Sequence, residues 1–218
     1  GTPGAEEHAL TLKTLRDGIA LRNRFNDCFE RAEEARTKEE RCRYLNFVIV
    51  GGGATGVELA TSLINLIDIV LIKDYPSIQR DEVRVVLVEA RDKILPSIDP
   101  ELAAWAQNYL DELGIDTQLN TQVTRVTPNG IETKDGRTIE ASTVIWAAGV
   151  RANEIVTKLD VEHARDGRVA VSETLELSAH PQHYLIGDNA LFTHTEDNKP
   201  LPANAPIAIQ QGERAARN

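Results

Sequence analysis

Gly51-x-Gly53-x-x-Gly56 is the spacing with the clearest chemical consequence in this chain of 218 residues. It follows the apolar run Phe47-Val48-Ile49-Val50 and opens a helical pattern from about Ala54. In that setting the first glycine permits a tight turn, the second leaves room for a pyrophosphate, and the third lets helix and strand pack closely. Gly52 and Ala54 complete the loop. The free N–H groups of the helix N-terminus and its positive dipole end suit the phosphates of a dinucleotide. A glycine-rich turn with purely structural duties is the alternative, and the strand before it and the helix after it favour binding.

Glu89 ends the run Val85-Val86-Leu87-Val88, where a carboxylate can accept hydrogen bonds from the adenosine ribose hydroxyls and would repel a 2′-phosphate. This predicts NADH over NADPH. Arg91, two residues on, argues the other way unless it is a solvated loop charge. The interval from Gly51 to Glu89 is 38 residues, lengthened by the polar stretch Lys73–Glu82. Glu58 has two readings, an acid in the first helical turn complementing the dipole or a catalytic carboxylate beside the reacting rings, handling protons. Both stand. Ala148 and Gly149, at the end of a later apolar strand, are further candidates for lining the dinucleotide. Gly187-Asp188 after Tyr184-Leu185-Ile186 is by itself ordinary turn chemistry. The five histidines, His8, His163, His180, His183 and His194, show no metal-ligand spacing, and no metal is expected.

The elements that must position these residues read as follows. A long helix is predicted over residues 6–43, its second half solvated. Strand Phe47–Val50, a helix from Ala54 to Ile72, and strand Val83–Glu89 come next. Asp99-Pro100-Glu101 opens another helix, closed by Gly114, and Ile115–Leu119 is a third strand. Three short strands at about 121–127, 130–134 and 137–141 carry hairpin signals at Pro128-Asn129-Gly130 and Asp135-Gly136. Thr143–Ala147 is a buried strand. Beyond it, Arg168–Leu177 alternates like a strand and Pro202–Asn218 becomes a helix. The order β-α-β-α-β, meander, β predicts an α/β fold. It is a Rossmann-like NAD(P)-binding domain with a parallel sheet and a three-stranded antiparallel β meander.

Composition narrows the function classes. Hydrophobic residues make up 41%, enough for a packed core, and the formal net charge of −10 argues against nucleic acid or an anionic membrane face. The best apolar run, Leu63–Ile72, is interrupted by Asn65 and Asp68, so no membrane span is expected. Cys28 and Cys42, 14 residues apart on the predicted helix, would stand roughly 21 Å apart and cannot bridge. Reduced thiols fit a cytoplasmic chain. The sequence opens Gly1-Thr2-Pro3-Gly4 and has no methionine, so a processed chain or an excised fragment is expected.

Phe47-Val-Ile-Val-Gly-Gly-Gly-Ala-Thr-Gly-Val-Glu-Leu-Ala60 resembles the NAD-binding segment of type II NADH:quinone oxidoreductases, FAD-containing members of the two-dinucleotide-binding flavoproteins. Pro3–Ala9 with Leu12–Leu15 is similar to the family's crossover out of the FAD domain, and Val144–Val150 to its return strand. Tyr184–Asp188 resembles the second FAD motif, which implies that Asp188, beside Gly187, holds the flavin ribityl chain. Ala205-Pro206-x-Ala208-x-Gln210-Gln211-Gly212 resembles the segment passing beneath the flavin toward the quinone, which makes Gln210 and Gln211 flavin- and quinone-side residues. The family's first Gly-x-Gly-x-x-Gly and its membrane-docking C-terminal helices have no counterpart here. The resemblance therefore implies an internal fragment: residues 1–44 and 151–218 as partial FAD-domain segments flanking an NAD-binding domain at 45–150.

On this reading the parent passes a hydride from NADH to FAD and electrons to a quinone, as a peripheral protein on the cytoplasmic face of the membrane. The fragment alone is expected to be inactive and to bind NAD(H) without FAD. Its helix 6–43 is expected to swap, to form a homodimer, or to lie over another exposed face. A soluble flavoprotein reducing a protein or oxygen, and a non-catalytic nucleotide-binding module, are the alternatives. The lack of a redox-active cysteine pair weighs against a disulfide reductase.

Overall fold

The computed structural model describes residues 1–149, 151–194 and 199–218. They fall into two compact units, Gly1–Ala148 and Gly149–Asn218. The expected boundary residue Val150 lies outside the described residues.

In the first unit, side-chain alternation builds three layers. Strands β1 (Asn46–Val50), β2 (Arg84–Val88), β3 (Asp116–Gln118) and β7 (Thr143–Trp146) form a parallel sheet in the order β3-β2-β1-β7. Between them in sequence lie the antiparallel β4 (Val123–Thr127), β5 (Gly130–Thr133) and β6 (Thr138–Glu140), a meander in the order β4-β5-β6. Phe47, Ile49, Val85, Leu87 and Ile145 point to one face of the sheet and join a core of helical side chains. Val48, Val50, Val86, Val88 and Val144 point to the other and meet Val123, Val126, Ile131 and Ile139 of the meander. Strands covered on both faces explain the unbroken apolar runs.

The helical layer departs from the single helix expected over 6–43. Three helices occupy that stretch: α1 (Ala5–His8), α2 (Leu15–Glu34) and α3 (Lys38–Tyr44). Between α1 and α2 the backbone is pulled against β7, with Leu10 N–H donating to Val144 O at 2.9 Å and Trp146 N–H donating to Leu10 O at 2.7 Å. Thr14 then starts α2 with a capping box, its Oγ1 accepting from Asp17 N–H and its own N–H reaching Asp17 Oδ2 at 3.0 Å. Thr37 caps α3 through Glu40 N–H at 3.1 Å. The apolar stripe of α2 is covered from Leu21 onward, whereas Leu15 and Ile19 at its start are exposed. Leu21, Phe25, Cys28, Phe29 and Ala32 are buried, and the Phe25 ring meets Phe47 edge-on at 5.4 Å. From Leu21 onward the stripe lies over the sheet, which is the third of the outcomes expected for it.

The end expected to be solvated is also engaged. Arg41 forms a two-pronged pair with Glu82, at 2.7 and 3.0 Å, and donates to Ala32 O and Ser77 O. The Arg41 hydrogen bond holds the Glu82 carboxyl below the usual glutamate range, and the same bond raises Arg41. Cys28 and Cys42 are free but stand on different helices. Burial pushes the Cys28 thiol up.

After the glycine turn comes α4 (Ala54–Leu66), which runs on through a π-helical segment, Ile67–Leu71, into α5 (Ile72–Asp74). This continuous helix, Ala54–Asp74, is long and apolar enough by length and composition to cross a bilayer. Its run through Asn65 and Asp68 agrees with the helix expected from Ala54 to Ile72. Leu59, Ala60, Leu63, Ile64, Ile67 and Leu71 are buried in the core beneath the sheet, as in a core helix. A 3-10 turn, Arg80–Glu82, precedes β2. Helix α6 (Pro100–Glu112) begins as expected, with Asp99 Oδ1 accepting from Glu101 N–H at 2.9 Å, and it ends at Gly114 in the left-handed region.

The second unit has short elements: α7 (Glu154–Thr157), β8 (Val169–Ala170), β9 (Glu176–Leu177), β10 (His180–Tyr184), β11 (Ala190–Leu191) and α8 (Ala205–Ala215). The strand expected over Arg168–Leu177 is two strands, because the chain turns at Glu173–Thr174 and Leu175 takes φ 69°. Val156, Val169 and Leu177 form its buried cluster.

Candidate functional site

The carboxyl ends of β1, β2 and β7 are tied together by backbone hydrogen bonds. Gly51 N–H donates to Val88 O and Ala147 N–H to Val50 O, both at 2.8 Å. The three motif glycines answer to different demands. Gly51 has φ 114°, and a Cβ there would lie 2.7 Å from Ala148 N. A Cβ on Gly56 would lie 1.8 Å from Gly51 O, so α4 and the turn touch at that point. Gly53 is different. Its φ of −76° suits any residue, and a Cβ there would meet nothing within 4 Å. The chain's own packing accounts for Gly51 and Gly56 and leaves space open at Gly53.

That space lies at the start of α4, where Gly53 is the N-cap with no side-chain cap and no acidic residue occupies the first turn. Ala54, the first helical residue, is exposed. The helix thus presents uncapped backbone donors, as an anion requires. Glu58 falls beyond the first turn, contrary to the sequence reading, and is exposed. Its complementarity to the dipole is weakened accordingly, since the effect fades within a turn.

Glu89 follows β2 and reaches back to the turn. Its Oε2 accepts from Gly52 N–H at 2.7 Å and its Oε1 from Arg91 N–H at 2.9 Å. The half-buried carboxylate is thereby fixed in orientation beside the glycine turn, with lone pairs left for hydroxyl donors. Arg91 contributes its backbone here, and its side chain is exposed. Leu95 was not singled out by sequence. Its N–H donates to Gly52 O at 2.8 Å, and its φ of 48° is a left-handed conformation unusual for leucine. The only hint was Pro96 after it, which disfavours the α region for residue 95. Ala148, half-buried, closes the first unit, and Gly149, exposed at φ 81°, begins the second.

In the second unit, Gly187 opens a 3-10 turn, Gly187–Asn189, at φ 60°, and Asp188 is exposed. Gln210 is exposed on α8, whereas Gln211 is buried and accepts the Gly187 N–H at 2.7 Å. Among the described residues no group of three or more His, Cys, Asp or Glu side chains is placed to hold a metal ion.

An open glycine at an uncapped helix N-terminus, beside a carboxylate fixed just past the neighbouring strand, is the arrangement found at the strand ends of a Rossmann-type α/β fold. The family model for pyridine nucleotide-disulphide oxidoreductases matches residues 1–212, and the chain belongs to that family. It is similar to the type II NADH:quinone oxidoreductase NdhA of Mycobacterium tuberculosis, at 38% identity over 81% of this chain and 40% of the relative. It is also similar to the type II NADH:quinone oxidoreductase of Staphylococcus haemolyticus, at 31% identity over the whole chain and 54% of the relative. The chain thus spans about half the length of these curated relatives. Among solved structures, the NDH2 of Plasmodium falciparum in complex with NADH superposes with a TM-score of 0.79 at 22% identity, covering 88% of this chain and 41% of that one. A ferredoxin reductase from Rhodopseudomonas palustris superposes at 0.70 and 22% identity, covering 99% and 48%. At such identities these likenesses establish the Rossmann-type fold.

Proposed function

We propose that the chain is the NADH-binding part of a longer flavin-dependent NADH dehydrogenase that delivers electrons to a quinone. The observation that carries nucleotide binding is the space at Gly53, which the fold does not fill, next to the Glu89 carboxylate. The backbone donors at the start of α4 take the pyrophosphate, and Gly53 lets it approach. Glu89 accepts the ribose hydroxyls and repels a 2′-phosphate. Gly51, Gly52, Ala54 and Gly56 shape the loop, with Ala148 beside Gly51 and Glu58 as the residue for proton handling. The bound nucleotides supply the hydride chemistry, and the chain's residues bind and orient.

The quinone acceptor is supported by the activity of the similar curated proteins. Toward FAD, the exposed Asp188 carboxylate on its left-handed turn suits the hydroxyls of a ribityl chain. The pyrophosphate cradle of a second dinucleotide has no counterpart in these 218 residues, which contain one Gly-x-Gly-x-x-Gly. The segment 151–218 is accordingly assigned to the FAD side of the longer protein, whereas 1–44, expected there too, packs on the sheet of the first unit; FAD is assigned to the longer protein and not to this chain alone. Attachment of the longer protein to the cytoplasmic face of a membrane is part of the same proposal.

Calorimetric titration with NADH and NADPH tests the nucleotide assignment. NADH is expected to bind at least about tenfold tighter, the effect of an unfavourable interaction worth roughly 1.4 kcal/mol. In Glu89→Ala the preference should disappear. Equal affinity of the unmodified chain for both nucleotides would overturn the role given to Glu89.

A further inference from the structure

Gln210 and Gln211 are neighbours in sequence and part company in the fold. Gln210 is exposed, while Gln211 is 7% exposed. A buried amide is retained where it is hydrogen-bonded, and the Gln211 Oε1 accepts the N–H of Gly187 at 2.7 Å. The same helix closes on Gly187 from a second position, since a Cβ on Gly187 would stand 3.2 Å from the Ala208 Cβ. Gly187 is held at φ 60°, and the exposed Asp188 comes next. Two side chains of α8 thus define the turn that carries the carboxylate.

We infer that Gln211 is a positioning residue for Asp188. It fixes the Gly187 peptide, and through it the carboxylate that meets the ribityl hydroxyls of the flavin. Gln211 then makes no contact with quinone, and of the two glutamines only Gln210 is free to face a ligand. The inference rests on the flavoenzyme reading proposed above.

The test uses the full-length protein that contains this chain, with Gln211→Leu, which removes the acceptor at similar volume, and Gln211→Glu, which keeps one. Flavin dissociation is followed by fluorescence, the visible flavin absorbance is recorded, and NADH affinity is measured by calorimetry. Gln211→Leu is expected to weaken FAD binding about tenfold, the order of one lost hydrogen bond to a buried partner, and to shift the flavin absorbance. NADH affinity should stay unchanged, and Gln211→Glu should restore FAD binding to within about threefold. FAD affinity and absorbance of Gln211→Leu equal to those of the unmodified protein would overturn the positioning role while leaving the flavoenzyme reading intact. A full-length unmodified protein that takes up no FAD would overturn that reading itself. Should Gln211→Leu fail to fold, Gln211→Asn, which withdraws the amide by one methylene, is read by the same measurements.

Discussion

The turn at Gly51 stands at the ends of parallel strands, over a core that buries Phe29, Phe47, Ile49 and Leu87 completely. The turn at Gly187 follows the exposed strand β10 and leans on Ala208 and Gln211 of one helix. Both carry a glycine in the left-handed or neighbouring positive-φ region, and both set a carboxylate beside it, Glu89 across the strand ends and Asp188 along the chain. The first is held from several directions: two strands tie its ends, α4 presses on its carbonyl, and Glu89 and Leu95 bind Gly52 on both sides of the peptide. The second is held by the Gln211 hydrogen bond and the Ala208 methyl contact from one helix, by Ala190 N–H donating to Gly187 O, and by Asn153 N–H donating to Asn189 Oδ1 at 2.9 Å. Support of the first kind makes a turn costly to disturb. Support of the second kind lets a small change alter ligand geometry while the surrounding unit survives.

Substitution inside the first turn should show the largest effect. Gly56→Ala places a methyl group against the Gly51 carbonyl, where neither backbone can yield. A loss of about 3 kcal/mol is expected, read as a lowered midpoint in urea unfolding of the first unit. Little or no loss would mean that the contact between helix and turn relaxes freely, and that the two turns are less different than described.

A smaller effect tests how far the helical layer supports the first unit. Arg41 is half-buried and makes four hydrogen bonds, so Arg41→Ala should cost about 1 to 2 kcal/mol near neutral pH. Its pH dependence follows from Glu82, whose carboxyl is depressed chiefly by Arg41. A carboxylate with a depressed folded pKa contributes stability that is present above its unfolded value, about 4.3, and that is lost as the pH falls through the folded value. The difference between unmodified protein and Arg41→Ala should therefore shrink as the pH drops below about 4. A difference independent of pH would assign the loss to packing alone.

Much of this architecture was legible in the chain. Continuous apolar runs identified β1, β2 and β7, and the Asp99-Pro100 start and Gly114 end of α6 were read from capping chemistry. Paired hairpin turns at Gly130 and Gly136 located the meander. The reading over 6–43 failed where helical periodicity was allowed to outweigh two further signals, Thr14-x-x-Asp17 and Thr37-x-x-Glu40, which are capping boxes in pattern. The bridge from Leu10 to β7 joins residues 135 apart in sequence and leaves no local trace. At the candidate site the types and spacing of Gly51, Gly53, Gly56 and Glu89 were visible. The bonds that fix them were not, because Gly52, Arg91 and Leu95 act through backbone atoms that every residue possesses. For the same reason two adjacent glutamines could not be told apart until burial separated them.

The claim that the space at Gly53 belongs to a dinucleotide is tested most directly by Gly53→Ala in this chain, with NADH titrated by calorimetry and stability measured in parallel. The backbone there already suits alanine and nothing of the protein's own lies within reach of the added methyl group. Stability should therefore change by less than about 1 kcal/mol, while NADH affinity falls at least about tenfold, a loss of roughly 1.4 kcal/mol in binding. NADH bound as tightly by Gly53→Ala as by the unmodified chain, with the fold intact, would contradict the account.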